Sequence, residues 1–141
     1  MALERREILF SLAEIKDALL AIDTGDRSIP LTYDLNLIEA VHTRDIHRQF
    51  HVVRDRYGKI YKEHLGKDGM MFRAAHRGAR GFDQYYEFFI PDDTMIRAII
   101  FACKKAKIMT PRSANKRVIA EDIFIGVKFE IAQAALVLED A

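Results

Sequence analysis

The chain predicts an α+β fold: a single domain over residues 1–141, with a mainly antiparallel sheet and two capped helices packed on one face. Three observations carry this. Apolar residues recur at helical spacing in two stretches, each opened by a helix N-terminus signal. Apolar or aromatic runs stand immediately before both stretches, and residues 123–131 alternate without a break. Helices with a single apolar stripe suit one-sided packing on a sheet of about five to seven strands.

Glu7-Ile8-Leu9-Phe10 reads as a strand, short, apolar and ended by Ser11. Ser11 and Glu14 have the S-x-x-E spacing of a capping box, in which hydroxyl and carboxylate each take an orphan backbone N–H; Phe10 and Ile15 have the positions of a hydrophobic staple. Leu12, Ile15, Leu19 and Ile22 follow at helical spacing until Asp23-Thr24-Gly25-Asp26, which predicts a helix over 12–22. Further strands are expected at 70–75, after the Lys67-Asp68-Gly69 turn signal, and at 84–90, which is rich in aromatics. Pro91-Asp92-Asp93-Thr94 opens a second helix, predicted over 93–108, with its acids at the positive end of the dipole and Lys104, Lys105 and Lys107 at the negative end. Its stripe is Ile96, Ile99, Ile100 and Cys103, and Thr110-Pro111 closes it. A short strand at 118–120, a turn at Glu121-Asp122 and the alternating strand Ile123, Ile125, Val127, Phe129, Ile131 complete the pattern. The order strand, capped helix, loop and proline thus recurs about 81 residues apart, matching Ile15 with Ile96 and Leu19 with Ile100.

The middle of the chain supports two readings. Asp55-Arg56-Tyr57-Gly58 has the form of a turn joining strands 50–54 and 59–65 into a hairpin. Against it, Ile46, Phe50, Val53, Tyr57 and Ile60 fall at helical spacing, and Gly66 would suit the residue after a helix end. An interior Gly58 would cost such a helix about 1 kcal/mol, and Val52-Val53 favour strand, so the hairpin is preferred.

Composition excludes several classes. The sequence is half apolar with nine Phe and five Tyr under a net charge of +1, which excludes disorder. No apolar run approaches the roughly 20 residues of a membrane span. One cysteine excludes a disulfide framework or a cysteine-based zinc site. Glu4, Arg5, Arg6 and Glu7 stand where a signal peptide would be apolar, which predicts a cytosolic location.

The near-zero net charge hides segregation. Residues 1–41 hold four bases and eight acids, whereas residues 42–80 hold ten bases and four acids. All five histidines, His42, His47, His51, His64 and His76, fall in the basic segment. His47, His51 and Asp55 would share a face and could hold a metal ion only on a helix; on a strand the two histidines would stand roughly 13 Å apart. No metal and no cofactor is therefore expected. His76-Arg77-Gly78-Ala79-Arg80-Gly81 is the most distinctive loop. Arg77 and Arg80 present guanidinium forks suited to anions, Gly78 and Gly81 permit close approach, and Tyr57, Tyr61 and Phe82 would supply stacking.

Catalytic signals are weak. Cys103 lies on an apolar stripe, Asp92-Asp93 opens a helix, Ser11 is engaged in a cap, and Ser113 has no histidine near it in sequence. The sequence therefore predicts a small non-enzymatic interaction protein that self-associates, its acidic start meeting its basic middle, or binds a protein partner. Binding of nucleic acid or a phosphorylated ligand through the Arg-Gly loop is the alternative, followed by an enzyme built from the middle histidines, with or without a metal.

Overall fold

The computed structural model describes residues 3–26, 29–45, 57–77, 83–111, 114–121 and 124–132. In chain order the elements are β1 (Leu3–Ser11), α1 (Leu12–Ala21), β2 (Asn36–His42), a 3-10 turn (Thr43–Asp45), α2 (Gly58–Glu63), β3 (Gly69–Arg77), β4 (Asp83–Pro91), α3 (Asp92–Lys105), β5 (Asn115–Glu121) and β6 (Phe124–Ala132). The fold is α+β, and every strand pairing is antiparallel. The strands form two three-stranded sheets, β1-β6-β5 and β2-β3-β4, where the sequence suggested one. The free edges of β2 and β5 touch without a ladder between them. β2 carries a register shift between Leu37 and Glu39, and such irregularity disfavours continuous pairing along that edge.

Local chemistry explains the helix starts. β1 runs directly into α1 at Ser11, whose hydroxyl accepts the Glu14 N–H while the Glu14 carboxylate accepts the Ser11 N–H, the reciprocal pair expected of the S-x-x-E spacing. β4 runs into α3 at Pro91 in the same way. Pro91 has no side chain to cap with, and the Asp93 carboxylate takes the Thr94 N–H instead. At its far end α3 stops at Lys105, earlier than the spacing predicts. Lys107 adopts φ 60°, Ile108 N–H bonds the Cys103 carbonyl at 2.8 Å, and Lys107 N–H bonds that of Lys104 at 3.1 Å, a Schellman closure with lysine in the left-handed position.

One core joins both sheets and both long helices. Ile8 and Phe10 of β1, Phe72 and Ala74 of β3, Phe88 and Ile90 of β4 and Val127 and Phe129 of β6 meet Ile15, Leu19, Met95 and Ile99 of the helices. The buried face of α3 is Met95, Ala98, Ile99, Ala102 and Cys103; Ile96 and Ile100 only flank it. This fixes the internal spacing at 80 residues, not 81. Ser11 then matches Pro91, Ile8 matches Phe88, Ile15 matches Met95 and Leu19 matches Ile99, each of the last three pairs buried.

The topology repeats accordingly. β1-α1-β2-β3 and β4-α3-β5-β6 are both strand–helix–strand–strand, and each sheet combines two strands of one unit with the first strand of the other.

The units differ between their third and fourth elements. Only residues 122–123 separate β5 from β6, whereas 43–68 separate β2 from β3 and carry α2. Residues 59–65 were expected to form a strand, and Gly58–Glu63 is a helix. Gly58 opens the helix and is not interior to it, so the penalty counted against the helical reading does not arise. Val41, Met71 and Phe89, in register across β2, β3 and β4, form a second small core with Tyr57, against which Ile60 and Tyr61 pack. The β2-β3-β4 sheet is thus covered on both faces at this end.

Candidate binding groove

Among the described residues β4 pairs with β3 alone, and no ladder there occupies its other edge. Successive strand residues point to opposite faces, which puts Tyr85 and Glu87 with Phe89 on the α2 side and Tyr86 with Phe88 and Ile90 on the main-core side. A cavity of about 450 Å³ is bordered by Tyr85, Tyr86 and Glu87 together. Contact with three consecutive residues places it along the edge of the strand and not over either face. Lys59, Ile60 and Glu63 of α2 form one wall, and Pro30, between the core-packed Ile29 and Leu31, also borders the cavity.

Charge and aromatic rings are ordered along this edge. The Arg73 guanidinium lies 4.3 Å from the Tyr85 ring centre, and its Nε is 3.8 Å from Glu87 Oε1. Tyr85 and Glu87 are therefore backed by one cation from beneath. Glu63 and Lys59, one helical turn apart, are exposed, and neither is in an ion pair among the described residues. Tyr86 is 38% exposed, with its hydroxyl donating to Gln84 Oε1 at 3.0 Å. A second cavity of about 190 Å³ lies between α1 and α3, bordered by Phe10, Ala18, Phe101 and Ala102 together with Glu14, Asp17 and Lys105.

His42, the one fully buried histidine among the described residues, is committed internally. Arg44 donates its backbone N–H to His42 Nδ1 at 3.1 Å, so Nδ1 carries no proton and Nε2 must. Nε2–H then donates to Asp92 Oδ1 at 2.8 Å, in the first turn of α3. With both nitrogens occupied and 1% exposure, His42 has no free atom with which to act on a ligand. Beside it, burial and the neighbouring Arg117 charge pull the Arg44 guanidinium below its usual range, and its buried Nη2 has no hydrogen-bond partner among the described residues.

The residues singled out in the sequence distribute as follows. Tyr57 is fully buried and Tyr61 half-buried, both taken up by the small core beneath α2, so Tyr57 is withdrawn as a stacking group. The exposed rings on this side are Tyr85 and Tyr86, which sequence reasoning assigned only to a strand. Arg77 ends β3, while Gly78, Arg80, Gly81 and Phe82 lie outside the described residues, as do His47, His51, Asp55 and Ser113. Of the remaining histidines, His64 stacks on Phe89 with ring centres 4.4 Å apart and shares a 2.9 Å hydrogen bond with the Ile60 carbonyl, and His76 lies on β3. Among the described residues, no group of three His, Cys, Asp or Glu side chains is placed to hold a metal ion. Cys103 is buried, and desolvation pushes its thiol up against a smaller opposing pull from Arg6, which keeps it protonated and a poor nucleophile. Among the described residues no helix is long and apolar enough to cross a membrane.

No family model matches the chain, and neither a curated protein nor a solved structure matches it.

Proposed function

We propose that the chain is a cytosolic interaction protein, without catalytic activity of its own, that self-associates through acidic residues of its first segment and basic residues of its middle one. The supporting observation is that opposite charges stand exposed and unpaired on different elements. Asp17 on α1 and Asp34 before β2 are exposed, as are Lys59 and Lys62 on α2 and Lys67 after it. None of the five takes part in an ion pair or a side-chain hydrogen bond among the described residues. A second copy would offer each its complement. Exposed pairs contribute only about 0–1 kcal/mol apiece, so several must act together and salt must weaken them.

Light scattering on a sizing column, at ionic strengths of about 0.05 M and about 1 M, tests this, because the Debye length shrinks severalfold between them. Masses of two or more chains are expected at low salt, falling towards one chain at high salt, with Lys62→Glu plus Lys67→Glu monomeric in both. A wild-type monomer in both buffers, or a double variant that assembles as the wild type does, refutes the proposal.

A further inference from the structure

We propose that the open edge of β4 is a docking site for an extended segment of a partner polypeptide bearing arginine or lysine, added as a fourth strand to the β2-β3-β4 sheet. The groove and the strand edge are the same place. Residues 85–87 line the cavity from both of their faces, so what enters it meets the backbone of β4. In an edge strand alternate residues turn N–H and C=O away from the sheet. Among the described residues, no backbone bond joins Gln84–Phe89 to any element but β3, and no side chain bonds these outward groups. An extended chain satisfies such a row residue for residue.

The repeat shows why this edge differs from its counterpart. β1 is the equivalent outer strand of the other sheet, and the loop after α3 flanks it as Pro30 flanks β4. There Arg6 Nη1 donates to the Met109 carbonyl at 2.9 Å, crossing the space an added strand would need. With only two residues between β5 and β6, that edge has no counterpart of α2 for a wall. The groove belongs to the one insertion that breaks the repeat.

Charge selects the occupant. Glu63 and Glu87 face the groove against Lys59, and Arg73 lies beside Glu87, leaving Glu63 the carboxylate without an ion-pair partner among the described residues. Tyr86 offers a ring over which no cation lies among the described residues, beside Tyr85, which already holds one. A basic side chain on the added strand would meet Glu63 and Tyr86 together. Lys59 would repel it mildly, which makes the preference testable in both directions. The groove shares Lys59 with the charges invoked for self-association, but Lys62 and Lys67, the two positions varied to test that reading, do not line it, so the two tests can fail separately.

The probe is a fluorescein-labelled, capped nonapeptide alternating threonine and valine with arginine at its centre, titrated with the intact protein and followed by fluorescence anisotropy. Saturable binding below about 1 mM is expected, about tenfold weaker when glutamate replaces the arginine. Methylating every other backbone nitrogen of the peptide should abolish binding in one register and spare it in the other, because only one side of an added strand bonds the sheet. Glu63→Lys should weaken the arginine peptide about tenfold and Lys59→Ala strengthen it about twofold; both positions are exposed, so the fold is retained. Absence of saturable binding at about 1 mM, equal affinity for the glutamate peptide, or equal behaviour of the two methylated registers overturns the proposal.

Discussion

With His42 Nδ1 occupied by the Arg44 amide and Nε2 by Asp92, removing the ring leaves two partners without theirs, one of them a backbone N–H. His42→Ala should therefore cost about 2–4 kcal/mol, from the lost hydrogen bonds and the cavity together. Asp92→Asn tests the acceptor end of this pair. An amide oxygen still accepts from a neutral Nε2–H, so the loss should stay near 1 kcal/mol, most of it from removing a negative charge at the start of α3. Urea unfolding of both variants measures this, and a loss for Asp92→Asn as large as that for His42→Ala would contradict the neutral-ring hydrogen bond. The sequence marked Asp92 correctly as a helix-start acid. Its partner was illegible because it lies 50 positions away, at the end of a strand that no alternation announced. β2 escaped notice for a related reason: the shift between Leu37 and Glu39 turns consecutive apolar residues to unexpected faces, leaving Ile38 44% exposed.

Elements were legible where a local signal decides them. α1 follows from Ser11 and Glu14 alone, β6 from its alternation, and the start of α3 from Pro91 and two acids. α2 was misread because a glycine suggests a turn whether it precedes a helix or interrupts one, and the position of Gly58 becomes clear only when Tyr57 is seen packed into Val41, Met71 and Phe89. The groove was no more legible, since its wall is α2 and its floor is β4, whose aromatic run carries no interior proline or lysine to mark it as an edge strand. The end of α3 was overrun because its left-handed residue is Lys107, where glycine is the usual marker. A β-carbon is strained there, so Lys107→Gly should raise stability by about 0.5–1 kcal/mol despite the freer unfolded chain. The unchanged contact of Ile108 with the core serves as the control. A fall in the urea midpoint on this substitution would contradict the closure inferred for α3.

At the scale of the whole molecule, the exchange of first strands makes each half depend on the other. β1 fills the edge of the sheet made by the second unit, and β4 does so for the first, so neither unit can bury its apolar face alone. The recurrence was visible in the sequence as proline exits and helix starts, but not the exchange, because pairing partners such as Leu9 and Gly126 are joined by no local pattern. Gly126 is where the dependence can be tested. A β-carbon there would run into the backbone of Ile8 and Leu9 across the β1–β6 ladder, and atoms fixed in that ladder leave little room to yield. Gly126→Ala should therefore cost at least about 2 kcal/mol. If the two units unfold as one, that loss must reach the other sheet, even though Met71 on β3 shares no ladder with β6. Native-state hydrogen exchange reads this at once: the amides of Val127 and Met71 should lose protection by the same amount. Loss at Val127 with Met71 unaffected would mean that the sheets open separately, and that the shared core couples them less than the strand exchange implies.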